Sequence, residues 1–155
     1  MEAHAMRDAA TAADRSGDLV TGDGRRPEVA IVGGSPAGAL VASVLCQQFG
    51  CTTTTMQSGE AVLALLRSDA AVDLVVMDLA VPDMEGMVAV QMIRALGRRN
   101  NLPVVALTSE GNSLGGSLAG AAGFAAAILK PYSPRELHAA MAAALRQQAA
   151  SALVS

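Results

Sequence analysis

From residue 28 onward the chain alternates short apolar runs with segments of helical periodicity. The runs are Val29-Ala30-Ile31-Val32, the threonine-rich segment 51–57, Leu74-Val75-Val76-Met77, Pro103-Val104-Val105-Ala106-Leu107, and Ala125-Ala126-Ala127-Ile128-Leu129. Short apolar runs bounded by turn residues predict strands buried on both faces of a parallel sheet. The second run, with four consecutive threonines, is β-branched but polar and suits a sheet edge. Between the runs, residues 36–49 predict a helix whose apolar face is Leu40, Val41, Val44, Leu45 and Phe49, stopped by Gly50. Ser58-Gly59-Glu60 opens a second helix that runs to Arg67, and residues 87–96 predict a third, ended by Gly97. The last helix carries the fullest signal. Ser133 caps it, Pro134 takes its first position and Glu136 completes a Ser-x-x-Glu capping box, after which Leu137, Met141 and Leu145 recur every four residues. A strand–helix unit repeated about five times predicts an α/β fold with a doubly wound, five-stranded parallel sheet.

Composition sharpens this picture in three ways. Hydrophobic residues make up 52% of the 155 positions but aromatics only 2%, so the core is built from Ala, Val, Leu and Met. The chain is sized for one domain. Residues 1–27 are polar and charge-mixed, and read as a flexible tail with a short helix near the alanines at 9–13; residues 28–147 are the domain; residues 148–155 read as a C-terminal tail. No apolar stretch approaches the ~20 residues of a membrane span, and no basic-then-apolar leader opens the chain. A cytoplasmic location is expected. A net charge of −3 argues against a nucleic-acid face. Cys46 and Cys51 have neither CxxC nor zinc spacing and are expected to be packing residues in a reducing compartment, while His4 and His138 read as surface residues.

Candidate chemistry gathers at strand ends. Asp78 follows the third apolar run, Thr108 the fourth and Lys130, the chain's single lysine, the fifth. Parallel α/β sheets assemble their sites at the carboxyl ends of strands, so a carboxylate, a hydroxyl and an ammonium are expected to converge on one edge. Asp83 and Glu85, in the loop after Asp78, read as solvated acids.

The string Met77-Asp78-Leu79-Ala80-Val81-Pro82-Asp83-Met84-Glu85-Gly86 resembles the phosphoacceptor loop of response-regulator receiver domains. Val104-Val105-Ala106-Leu107-Thr108 and Ile128-Leu129-Lys130-Pro131 resemble that family's switch hydroxyl and Lys-Pro segments. The resemblance covers about residues 29–146, is phrased most like receivers attached to hybrid histidine kinases, and implies the (βα)₅ flavodoxin-like receiver fold. It implies that Asp78 is the phosphoacceptor, Thr108 the switch hydroxyl, Lys130 the cation that pairs with phosphoryl oxygens, and Asp78 with the Ala80 carbonyl two of the Mg²⁺ ligands. It also implies a non-enzymatic signalling module whose partners are a histidine kinase, a phosphotransfer protein or another receiver.

Two departures redirect that expectation. The family's acidic pair should fall at Gly33-Gly34, and no Asp or Glu occurs from Val29 to Gly59. The aromatic three positions before the lysine is Ala127. Hard Mg²⁺ wants carboxylate oxygens, so weak binding through Asp78 and Ala80 is expected. The expected function is therefore an atypical receiver of a two-component phosphorelay, acting mainly through protein contacts, with an ordinary phosphoacceptor as the alternative. A dinucleotide-binding enzyme fragment using Gly33–Gly38 is a remote third reading, since Ser35 stands where the second glycine must be and no acid ends the second strand. The first helix carries no charge, nor does the stretch between Glu110 and Lys130, which suggests a partner surface and a possible homodimer. The glycines of 111–123 predict a weak helix there.

Overall fold

All five apolar runs are strands of one parallel sheet in the order β2-β1-β3-β4-β5, with β1 Glu28–Val32, β2 Thr52–Met56, β3 Leu74–Asp78, β4 Val104–Thr108 and β5 Ala126–Leu129. The structure is a computed structural model and describes residues 17–99, 101–109 and 123–154. Helices α1 (Pro36–Gln48), α2 (Gly59–Arg67), α3 (Gly86–Arg94) and α4 (Pro134–Val154) cover the sheet, with a 3₁₀ turn at Gly97–Arg99. The reversal of strand order between β2-β1 and β3-β4-β5 is the doubly wound topology of the flavodoxin-like receiver fold.

Strand alternation divides the core into two layers. Val29 and Ile31 of β1, Leu74 and Val76 of β3, and Val105 and Leu107 of β4 pack under α1 and α4 with Cys46, Leu137 and Met141. Ala30 and Val32, Val75 and Met77, and Val104 and Ala106 pack under α2 and α3 with Leu63, Val90 and Ile93. β3 and β4 are buried at every position, as two-sided coverage requires. β2 is half exposed and ends the sheet, as its threonines suggest. Both cysteines are free and buried, and burial pushes each thiol up to about 12. Among the described residues no helix is long and apolar enough to cross a membrane.

Three sequence readings are corrected. The buried side of α1 is Ala39, Ala42, Ser43 and Cys46, flanked by Leu45 and Phe49, while Leu40, Val41 and Val44 are exposed. The helix lies so close to the sheet that a Cβ on Gly33 would stand 2.7 Å from Ala39 Cβ, so only small side chains fit beneath it. Residues 17–27 are not a free tail. Leu19 is buried and its amide donates to the Phe49 carbonyl at 2.7 Å, Thr21 is buried, and the His138 ring stands 2.7 Å from the Gly17 carbonyl oxygen. Arg25 pairs with Asp23 and Asp73, and Asp73 also accepts from the Glu28 amide, which straps this segment to the foot of β1. At the other end, the backbone expected to be a tail from 148 continues α4 as helix to Val154. Of the glycine-rich stretch 111–123, and of the alanines at 9–13, only Gly123 lies within the described residues.

Candidate functional site

Register brings the strand ends together. Met77 and Asp78 of β3 align with Ala106 and Leu107 of β4, and Leu107 and Thr108 align with Ile128 and Leu129 of β5. Asp78, Thr108 and Lys130 therefore finish three adjacent strands on one edge. They line one cleft of about 360 Å³ with Ala80, Glu85 and Ser109. The loop is held in place as the Leu79 amide donates to the Leu107 carbonyl at 2.9 Å, and the Lys130 amide to the Thr108 carbonyl at 2.6 Å. Asp78 and Thr108 are buried, and Lys130 is partly so.

The Asp78 carboxylate is engaged at both oxygens. Oδ1 accepts from the Ala80 amide at 2.9 Å, and Oδ2 accepts from Lys130 Nζ at 2.7 Å. A charge-assisted bond of that length between partly desolvated groups is among the stronger kinds of polar contact. It closes the site as an ion pair. The Lys130-Pro131 peptide is cis.

Opposite this pair, β1 ends in Gly33-Gly34. A Cβ on Gly34 would stand 3.1 Å from the Ala80 carbonyl oxygen and 3.4 Å from Asp78 Cγ, so position 34 overlooks the two atoms groups that the resemblance makes metal ligands. Glycine contributes no donor there. Among the described residues no group of three or more His, Cys, Asp or Glu could hold a metal ion. The donors lining the cleft are the Asp78 carboxylate, already bound to an amide and an ammonium, the Glu85 carboxylate and the Ala80 carbonyl, and the first turn adds no carboxylate to them. These residues do not fit a resident Mg²⁺, which requires an octahedron of oxygens and leans on carboxylates.

Two residues have roles that sequence reasoning missed. Asp83 is an exposed loop acid, as expected, but it also caps: its carboxylate accepts from the Gly59 amide at 2.8 Å and the Glu60 amide at 3.0 Å, at the N-terminus of α2. Those two bonds hold its carboxyl below the usual carboxylate range. A Ser-Gly-Glu helix start shows that a cap is needed, but not that a loop twenty-odd residues on supplies it. Glu85 lines the cleft beside Gly86, where α3 begins. Ala127 packs with the α2–α3 layer, while Tyr132 packs with the α1–α4 layer, and burial raises its phenol. The two therefore lie on opposite faces, and Tyr132 does not take the place of the missing aromatic. The Gly33–Gly38 turn does join a strand to a helix, but Ser35 is the N-cap of α1, its hydroxyl accepting from the Gly38 amide at 3.1 Å.

A family model described as response regulator receiver domain matches residues 29–142. The chain belongs to the response regulator receiver domain family. This receiver domain is 32% identical over 116 residues to the sensor protein GacS of Pseudomonas syringae pv. syringae, covering 73% of this chain and 13% of that protein. It is 28% identical over 125 residues to the DNA-binding response regulator MtrA of Mycolicibacterium smegmatis, covering 81% of this chain and 53% of the relative. The chain thus spans about half or less of the length of these curated relatives. In fold, it matches the receiver domain of the sensor histidine kinase PA1611 from Pseudomonas aeruginosa PAO1 with a TM-score of 0.66, at 24% identity, over 81% of this chain and 98% of that one. That structure holds a magnesium ion coordinated in its active site cleft. Receiver domains are modules of two-component signalling, and this chain is one of them by family and by fold.

Proposed function

We propose that this receiver domain acts mainly as a protein-binding module of a two-component phosphorelay, with weak or absent Mg²⁺-dependent phosphorylation at Asp78. The observation that carries this reading is the direct Asp78–Lys130 pair at 2.7 Å facing a turn, Gly33-Gly34, that offers no carboxylate. Attack by a carboxylate on a phosphoryl group brings negative oxygens together, and cations must neutralise them as they align. Among the described residues Lys130 is the single cation lining the cleft. It neutralises Asp78 in the resting state, so the pair works as a clasp that holds the β3 and β5 ends together. Thr108 is retained beside it, and the edge keeps its shape without metal chemistry.

The partners this reading implies are a histidine kinase, a phosphotransfer protein or another receiver, met in the cytoplasm. The second reading is a conventional phosphoacceptor, and one observation favours it: Asp78, Thr108 and Lys130 still line one cleft together. The two readings separate in one experiment. Intact mass is measured after acetyl phosphate treatment with and without Mg²⁺, on the parent and on Asp78→Asn. The binding-module reading expects no Mg²⁺-dependent adduct and nearly unchanged binding of Asp78→Asn to a phosphorelay partner. A Mg²⁺-dependent phosphoryl adduct on the parent, absent from Asp78→Asn, would make the chain an ordinary acceptor.

A further inference from the structure

Neither α1 nor β2 carries a charged residue, since no Asp, Glu, Lys or Arg occurs between Glu28 and Glu60, and the nearest foreign charge the structure places by them is the Asp18 carboxylate against Gly50, where the two elements join. β2 ends the sheet. Its Thr52 amide donates to the Pro27 carbonyl at 2.9 Å and its Met56 carbonyl accepts from the Gly33 amide at 3.0 Å, both toward β1. Backbone groups of successive strand residues face opposite sides, so the amides and carbonyls of Thr53 and Thr55 face the open edge. Natural edges are guarded by lysine, proline, bulges or inward charges. The sequence of β2, TTTTM, has none of these guards.

Helix α1 overhangs this edge. Ser43 Oγ and Gln47 Nε2 meet Thr53 Oγ1 at 2.9 and 3.0 Å, which fixes the flank of α1 that looks over β2. Leu40 and Val44 lie three residues before Ser43 and Gln47, so they share that flank. They are 63% and 44% exposed, and Val41 beside them is 54% exposed.

We propose that this face binds a second copy of the chain, through antiparallel pairing of β2 with β2 about a two-fold axis at Thr54. In that register Thr53 of one copy exchanges both backbone bonds with Thr55 of the other, and Thr54 meets Thr54 in the close, non-hydrogen-bonded pair. Leu40 and Val44 of the two α1 helices then cover each other above the joined sheet. The surface is self-complementary: threonine opposes threonine, a favourable cross-strand pair, and a two-fold axis demands such self-matching. Copies of net charge −3 repel one another in general, but this face adds nothing to that repulsion. A charged partner would find no counter-charge among the side chains of α1 or β2.

Sedimentation equilibrium of the full chain across a concentration series tests the proposal. The mass is expected to rise from one chain to two, with amide exchange at Thr53 and Thr55 slowing in step. Thr54→Lys opposes like charges at the axis and is expected to weaken association about tenfold or more, whereas Thr54→Val retains it. Leu40→Ser with Val44→Ser is expected to weaken it as well, with circular dichroism and melting temperature reporting that each monomer is folded. A mass of one chain up to about millimolar concentration would overturn the proposal. So would a dimer unmoved by Thr54→Lys, which would place the contact on another face.

Discussion

A Cβ at position 34 meets the Ala80 carbonyl oxygen at 3.1 Å and Asp78 Cγ at 3.4 Å, tight contacts that a shift of a few tenths of an ångström relieves, whereas one at position 33 meets Ala39 Cβ at 2.7 Å and the Ser35 carbonyl at 2.9 Å. Neighbouring glycines thus differ in what they would accept. Gly34→Asp is expected to fold and to acquire a Mg²⁺-dependent rise in melting temperature that the parent lacks, read by calorimetry with and without the ion. Gly33→Asp pushes into α1 and is expected to cost about 1–3 kcal/mol in a urea titration, with no gain of metal binding. The Asp78–Lys130 pair gives a further test at this scale. Lys130→Met leaves a buried carboxylate without its cation and is expected to lose about 1–3 kcal/mol of stability, and Asp78→Asn in the same chain should return part of it. Additive losses in that double-mutant cycle would show that the pair is not coupled. Asp78, Thr108 and Lys130 could be placed at one edge from the sequence because each follows an apolar run, and strand ends of a parallel sheet meet. The sequence allowed a direct Asp78–Lys130 pair but could not set it, because the partners lie fifty-two residues apart and only packing fixes the distance; nor did it show that the other Asp78 oxygen goes to the Ala80 amide.

Among the elements, α4 was the most readable because its start is local chemistry. The Ser133 hydroxyl accepts from the Glu136 amide at 3.1 Å while the Glu136 carboxylate accepts from the Ser133 amide at 2.8 Å, the reciprocal capping box its sequence spells. Leu137 and Met141 are fully buried and Leu145 nearly so. Ser133→Ala is expected to cost about 1 kcal/mol, and Met141→Ala about 2–5 kcal/mol, both by denaturant unfolding. Equal effects would mean that α4 is held by its cap as much as by its core face. Helix α1 was misread for a physical reason. Its largest apolar side chains suggested the inward face, yet close approach to the sheet selects alanine, serine and cysteine, and turns leucine and valine outward. Helix α2 shows a third case, in which part of the cap arrives from outside the element as the Asp83 carboxylate.

On the scale of the whole molecule, the segment 17–27 behaves as a strap across the foot of the domain. The Thr21 hydroxyl, then the Arg25 guanidinium, hold the Asp23 carboxyl down to about 2, from an ordinary value of 3.8. A carboxyl lowered by folding stabilises above its ordinary value and loses that contribution as the pH falls through the lowered one. The strap's turn is therefore expected to loosen as the pH drops from about 4 toward 2, seen as faster amide exchange at Thr21 and Arg25 relative to the β3 amides. An Asp23→Asn variant should show little of this pH dependence; if it shows the full effect, another group controls the strap. By itself the sequence determined the alternation of strands and helices, the edge position of β2, the strand-end trio and the absence of acids at the first turn. Those follow from periodicity, local capping and residue identity, which are properties of neighbours along the chain. Tertiary structure alone decided which face of α1 is buried, that Leu19 anchors the segment before β1, that Asp83 caps α2, and that Lys130 closes on Asp78. Each of these depends on distances between residues far apart in sequence, which are fixed only when the layers pack.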